Sequence, residues 1–146
     1  MLKLLIISLF SFQALAKTNI KISGPGLARY ASGREYPCTE IFFDLKITKN
    51  ALFLNQGGYI CGFLQASFDS FKMDIHEGKL WNEGQELGKI SDHEISYQIY
   101  DPSDDSTYFF QLKKEDTGYT YFEEWHDGEK IALKVMGTLH LMPLLP

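Results

Sequence analysis

Cysteine is scarce in this 146-residue chain, positive charge is in deficit, and no long apolar run occurs after the first dozen or so residues. Two cysteines make at most one disulfide, too few for a disulfide-framed mini-protein. Fourteen Lys and Arg stand against nineteen Asp and Glu, and the longest basic run is Lys113-Lys114. A general nucleic-acid binder needs clustered cations to meet phosphates, so that class is set aside. No later stretch is apolar for twenty residues, which excludes a membrane-spanning helix there. There is no GxSxG elbow, phosphate-cradling glycine loop or HExxH pair among the four histidines, His76, His93, His126 and His140. Neither catalysis nor a metal has a motif to rest on, and the expected protein is non-enzymatic with no cofactor and no metal. Asp101, Asp104 and Asp105 supply oxygens in one loop. The position an EF-hand fills with an acid is Leu112, so they read as a solvated turn.

The start of the chain has the order of a secretion signal. Lys3 is followed by the apolar run Leu4 to Phe12 and the A-x-A sequence Ala14-Leu15-Ala16. We expect residues 1–16 to be removed, leaving 17–146 as a single domain without a membrane span, periplasmic or secreted. No cysteine sits at the cleavage point, where Lys17 follows Ala16, so no lipid anchor is expected. The absence of an N-x-S/T site and the single cysteine pair lean towards a bacterial source. An oxidising compartment would let the two cysteines pair.

Cys38 to Cys61 reads as two strands folded back on each other. Ile41, Phe43, Leu45 and Ile47 alternate with polar residues. A two-residue turn at Lys49-Asn50 sets Leu45 opposite Leu54, Ile47 opposite Leu52 and Cys38 opposite Cys61, within disulfide reach. Closure of that turn at Thr48 and Ala51 would place the cysteines at a hydrogen-bonded pair. Gly57-Gly58 is alternatively a bulge or a second tight turn, the latter pairing Leu54 with Tyr59.

Elsewhere, short alternating runs end in turn residues every eight to twelve positions, with no capped 3.6-residue period. Thr18 to Ser23 reads as an edge strand broken by Gly24-Pro25-Gly26, and Leu27 to Tyr36 as a loop or single helical turn. Nine or ten such strands predict an all-β fold. The first choice is a small antiparallel meander closed into an up-and-down barrel, and the alternative is a two-sheet sandwich. The layout resembles that of lipocalin-type barrels in architecture only, since no lipocalin motif is present.

Asp127-Gly128 marks the last hairpin. As a two-residue turn it places Glu124 opposite Ile131 and Phe122 opposite Leu133. With a three-residue loop, His126 to Gly128, Glu123 and Tyr121 take those places. Either way a carboxylate shares the apolar face, an anchor for the polar end of a ligand inside the barrel. Tyr97, Tyr108 and Phe110 alternate inward on earlier strands and complete that expected site. Trp125 lies on an aromatic strand face with Tyr119 and Tyr121, exposed in the first register and core in the second. Ser32, Gly33 and Tyr36 form an S-G-x-x-Y fragment that resembles a motif of bacterial periplasmic lysozyme inhibitors, themselves small disulfide-containing β-barrels. In those inhibitors the fragment falls late in the domain, whereas here it precedes the first cysteine. The resemblance implies a partner surface at Ser32, Arg34 and Tyr36. The reading is therefore an exported binder of an apolar or amphipathic small ligand. The alternatives are an interaction module such as a hydrolase inhibitor, using that loop or Trp125, and a structural envelope protein.

Overall fold

The computed structural model describes residues 17–143. The proposed signal peptide lies outside the described residues. Eleven strands follow in chain order: β1 (Thr18–Tyr30), β2 (Glu35–Ile47), β3 (Ala51–Cys61), β4 (Leu64–Phe68), β5 (Phe71–His76), β6 (Lys79–Asn82), β7 (Gln85–Ile90), β8 (Glu94–Asp101), β9 (Ser106–Glu115), β10 (Gly118–Asp127) and β11 (Lys130–Leu141). Neighbours in sequence pair antiparallel, except that β5 pairs with β3, and β1 pairs with both β2 and β11. The ring closes through β2 against β3.

β4 and β5 run in the same direction along one edge of β3, β4 against Gly57–Cys61 and β5 against Ala51–Leu54. They act as one stave interrupted at Asp69-Ser70, so the result is a closed ten-stranded up-and-down barrel without helix. The core is the barrel interior, where Ile22, Ile41, Phe43, Leu52, Met73, Leu80, Leu112, Val135 and Leu139 are fully buried. Closure leaves the sheet no open lateral edge except where staves are short.

The glycine-proline stretch does not end a strand, contrary to the sequence reading. β1 runs through it to Tyr30, and the loop shrinks to a turn at Ala31–Arg34. The glycines are there for close approach. A Cβ on Gly26 would lie 2.2 Å from the Met136 carbonyl oxygen and 2.4 Å from Ile41 Cδ1, and one on Gly24 would lie 2.2 Å from the Thr138 oxygen. β1 therefore sits tightly against β11, and only residues without side chains fit at those points.

The β2–β3 hairpin turns at Lys49-Asn50, with the Thr48 amide donating to the Ala51 carbonyl at 2.9 Å. Leu45 faces Leu54 and Ile47 faces Leu52 as the alternation predicts. Beyond them the register slips. Asp44 faces Gln56, not Asn55, because β3 carries one extra residue at a bulge. Between β1 and β2 the register moves from Gly24↔Ile41 to Gly26↔Cys38, so β2 carries its own extra residue near Thr39-Glu40. A one-residue slip flips every later side chain to the other face. The two bulges together turn Cys38 and Cys61 inward, where they form a buried disulfide. The cysteines are thus bonded without being directly opposed.

Replacing both cysteines, Cys38→Ala with Cys61→Ala, should lower the unfolding free energy by about 3 kcal/mol, the chain-entropy value for a loop of this length. Urea denaturation of the oxidised protein and the variant measures it. An unchanged midpoint would mean that the barrel hydrogen bonds alone fix this hairpin.

Candidate functional site

The last hairpin adopts neither predicted register. Its turn is Gly128-Glu129, Asp127 pairs with Lys130 and His126 with Ile131, and a bulge follows, so Trp125 meets Leu133 and Glu123 meets Val135. Tyr119, Tyr121, Glu123 and Trp125 consequently share the inner face with Leu133 and Val135. Glu124 and Phe122 point outward, a correction to the first register. Glu124 pairs on the surface with His126 at 2.5 Å and Lys134 at 3.5 Å. Trp125 faces the interior and is not part of an exposed patch.

Glu123 is the one fully buried charged residue among those described. Its carboxylate accepts hydrogen bonds from the Tyr59 hydroxyl at 3.0 Å, the Tyr121 hydroxyl and the Trp125 indole N–H. Alternation supplies Tyr121 and Trp125 from two residues either side of it on β10. Tyr59 comes from across the barrel, and only the β3 bulge points it inward. No described Lys or Arg forms an ion pair with Glu123.

Burial pushes the Glu123 carboxyl above its ordinary range, and the Tyr121, Trp125 and Tyr59 donors pull it back without offsetting that. Burial likewise raises the hydroxyls of Tyr59, Tyr97, Tyr108 and Tyr121, with the nearby Glu123 adding to it. The phenols therefore stay protonated and act as donors.

Aromatic rings pack this half of the barrel. Tyr97 stacks on Phe110 with centroids 4.7 Å apart, Phe43 lies 4.9 Å from Tyr121, and Tyr108 lies 4.7 Å from Trp125. The predicted residues Tyr97, Tyr108, Phe110, Tyr121 and Glu123 are thus brought together, but as a packed, internally hydrogen-bonded layer. The carboxylate's acceptor sites are occupied by the protein itself.

Open space lies at the opposite end. A cavity of about 650 Å³ is lined by Ile20, Ile47, Ile75, Ile90, Ile95, Leu112 and Tyr119, one residue from each of seven staves. Its rim is polar: Thr48 to Asn50, His76 to Gly78 and Ser91 to Glu94. Backbone hydrogen bonds tie these turns to their neighbours, Ile75 N to Asn50 O at 2.8 Å and Ile90 N to Gly78 O at 2.9 Å. An apolar pit of this volume with a polar rim suits a small molecule. In a meander alternate turns share one end, so the isoleucines beside the turns at 48–50, 76–78 and 91–93 were a readable signal for this mouth.

A second, shallower cavity of about 430 Å³ lies along β7 to β10 and is lined in part by Phe109, Gln111 and Phe122. Ser32 and Arg34 occupy the exposed β1–β2 turn, and Tyr36 is half-buried edge-on against Tyr30 at 5.8 Å. In the acidic loop Asp101 accepts from the Ser103 amide at 2.9 Å and Asp104 from the Ser106 amide at 3.0 Å, which makes both turn caps. Among the described residues no group of three or more His, Cys, Asp or Glu is placed to hold a metal ion, and no helix is long and apolar enough to cross a membrane. The chain matches no known protein family, no curated protein and no solved structure.

An acid with a raised folded-state pKa binds its proton more tightly in the folded protein. Its favourable contribution is complete below the unfolded value of 4.5 and is lost as pH rises through the folded value. Relative to Glu123→Gln, the wild type should therefore lose stability as pH rises from 4.5 towards neutrality. Parallel urea titrations of the two proteins from pH 4 to pH 8 test this, and a pH-independent difference would contradict it.

Proposed function

We propose that the protein is an exported, non-enzymatic binder that takes an apolar or amphipathic small molecule into the barrel mouth. The observation that carries this reading is the 650 Å³ apolar pit, floored by side chains from seven staves and rimmed by polar turns. An amphipathic molecule would enter apolar end first and leave its polar end among Asn50, His76 and His93. The Glu123 layer supports the reading in a different way from a ligand anchor: it plugs the other half, so the pit has a floor and does not become a channel. Export rests on the leader-like residues 1–16 and agrees with a disulfide, which is compatible with an oxidising compartment such as the periplasm or the cell exterior.

Titration with an environment-sensitive naphthalene sulfonate dye should give a saturable fluorescence rise. Ile90→Trp, at a half-buried wall position, should weaken binding by about tenfold or more, roughly 1.4 kcal/mol, with little change in melting temperature. Native mass spectrometry of the protein purified from its own compartment should show an adduct lost on unfolding. A bare mass together with dye binding indifferent to Ile90→Trp would overturn the proposal.

A further inference from the structure

The barrel wall is incomplete on one side. β6 and β7 span only four and six residues, whereas β8 has eight and β9 to β11 have ten to twelve. β7 pairs with β8 only from Ile95 to Tyr97, so the edge of β8 from Gln98 to Asp101 has no strand paired to it on that side. β4 pairs with β3 alone. Because β4 continues the line of β5, three strand spacings of about 4.8 Å, or roughly 14 Å, separate β4 from β8 where the short hairpin stops. That leaves a window two strands wide, floored by inward-facing Phe68, Tyr97 and Tyr108, with Phe68 and Tyr108 centroids 6.0 Å apart.

Both flanks present free backbone. The β3–β4 turn is Gly62-Phe63, so Leu64, Ala66 and Phe68 hydrogen-bond to β3 and the amides of Gln65 and Ser67 face the window. Apolar side chains also stand exposed on the flanks: Phe63 is 96% exposed, Tyr100 53% and Ile99 37%. The charge around the window has one sign. Residues 64–70, 82–85 and 98–105 carry Asp69, Glu83, Asp101, Asp104 and Asp105, all exposed, and no Lys, Arg or His.

We infer that the β4–β8 window is a docking site for an extended, basic segment of another protein, which binds by strand addition to the free edges. Main-chain hydrogen bonds would come from Gln65 and Ser67, alternate apolar side chains would meet the aromatic floor, and Lys or Arg would meet the acidic frame. A second copy of this chain fits less well, because its own window would bring five more acids into the same place. The site is separate from the mouth cavity, so either can fail without the other.

The test is fluorescence anisotropy of the purified protein with two labelled peptides of alternating sequence, one of Lys and Val and one of Glu and Val. The Lys-Val peptide should bind and the Glu-Val peptide should bind at least about tenfold more weakly. Ser67→Pro removes a window-facing amide that β3 does not use, and should weaken the Lys-Val peptide by about tenfold. Asp69→Lys, on the exposed surface, should weaken it too and serves as the test if Ser67→Pro fails to fold. Amide shifts should concentrate in β4 and β8. Equal binding of the two peptides, insensitivity to both substitutions, shifts elsewhere, or a dimer formed through β4 in sedimentation would each overturn the inference.

Discussion

The pairing of β2 with β3 is the constraint on which the rest of this barrel depends. It is the contact that turns an open sheet into a ring, and it carries the disulfide and an extra residue in each strand. The bulges reset which side chains face inward for the upper half of both strands. Without them the alternation set by Ile41, Phe43 and Leu45 would send Tyr59 outward, and Glu123 would lose a hydrogen-bond donor from across the barrel. The cost of burying a carboxyl without a cation is thus met by a register slip far away in sequence.

That dependence divides the molecule into two halves with different physics. In one half aromatic rings and a satisfied polar network fill the interior, leaving rigidity and no room. In the other the inward residues are mainly isoleucine and leucine at strand ends, and a cavity remains. The buried carboxyl is accordingly a structural feature that closes the pit from below. The same wall that is complete around β9 to β11 thins at the β6–β7 hairpin, because four to six residues cannot reach as far as ten or twelve.

With no match to a family, a curated protein or a solved structure, the functional reading rests on the local chemistry. Fold alone would not supply one, since small barrels serve many unrelated purposes. What distinguishes this barrel is where its polar groups are used up and where they are not. Glu123 is satisfied within the protein, and the outward carboxylate Glu124 is held by His126 and Lys134. The unfilled features are the apolar mouth and the free strand edges.

Period-two alternation and frequent turn residues were enough, read from the sequence, to give an all-β meander, its closure, the Lys49-Asn50 turn and the cysteine partnership, because these follow from local backbone preference and from the need to hide sheet edges. An inward carboxylate on β10 was also legible, since Glu123 and Glu124 are adjacent and one of them must face in. Which one, and with what opposite it, was decided by the tertiary structure: an extra residue in β11, opposite the step from Trp125 to His126, set which β10 side chains meet Leu133 and Val135, and another in β3 supplied Tyr59. A bulge adds one residue without any distinct sequence signal, yet reverses every side chain beyond it. Gly24-Pro25-Gly26 misled for a related reason. In isolation such residues read as a break, and only the neighbouring β11, packed too close to admit a Cβ, makes them part of a strand.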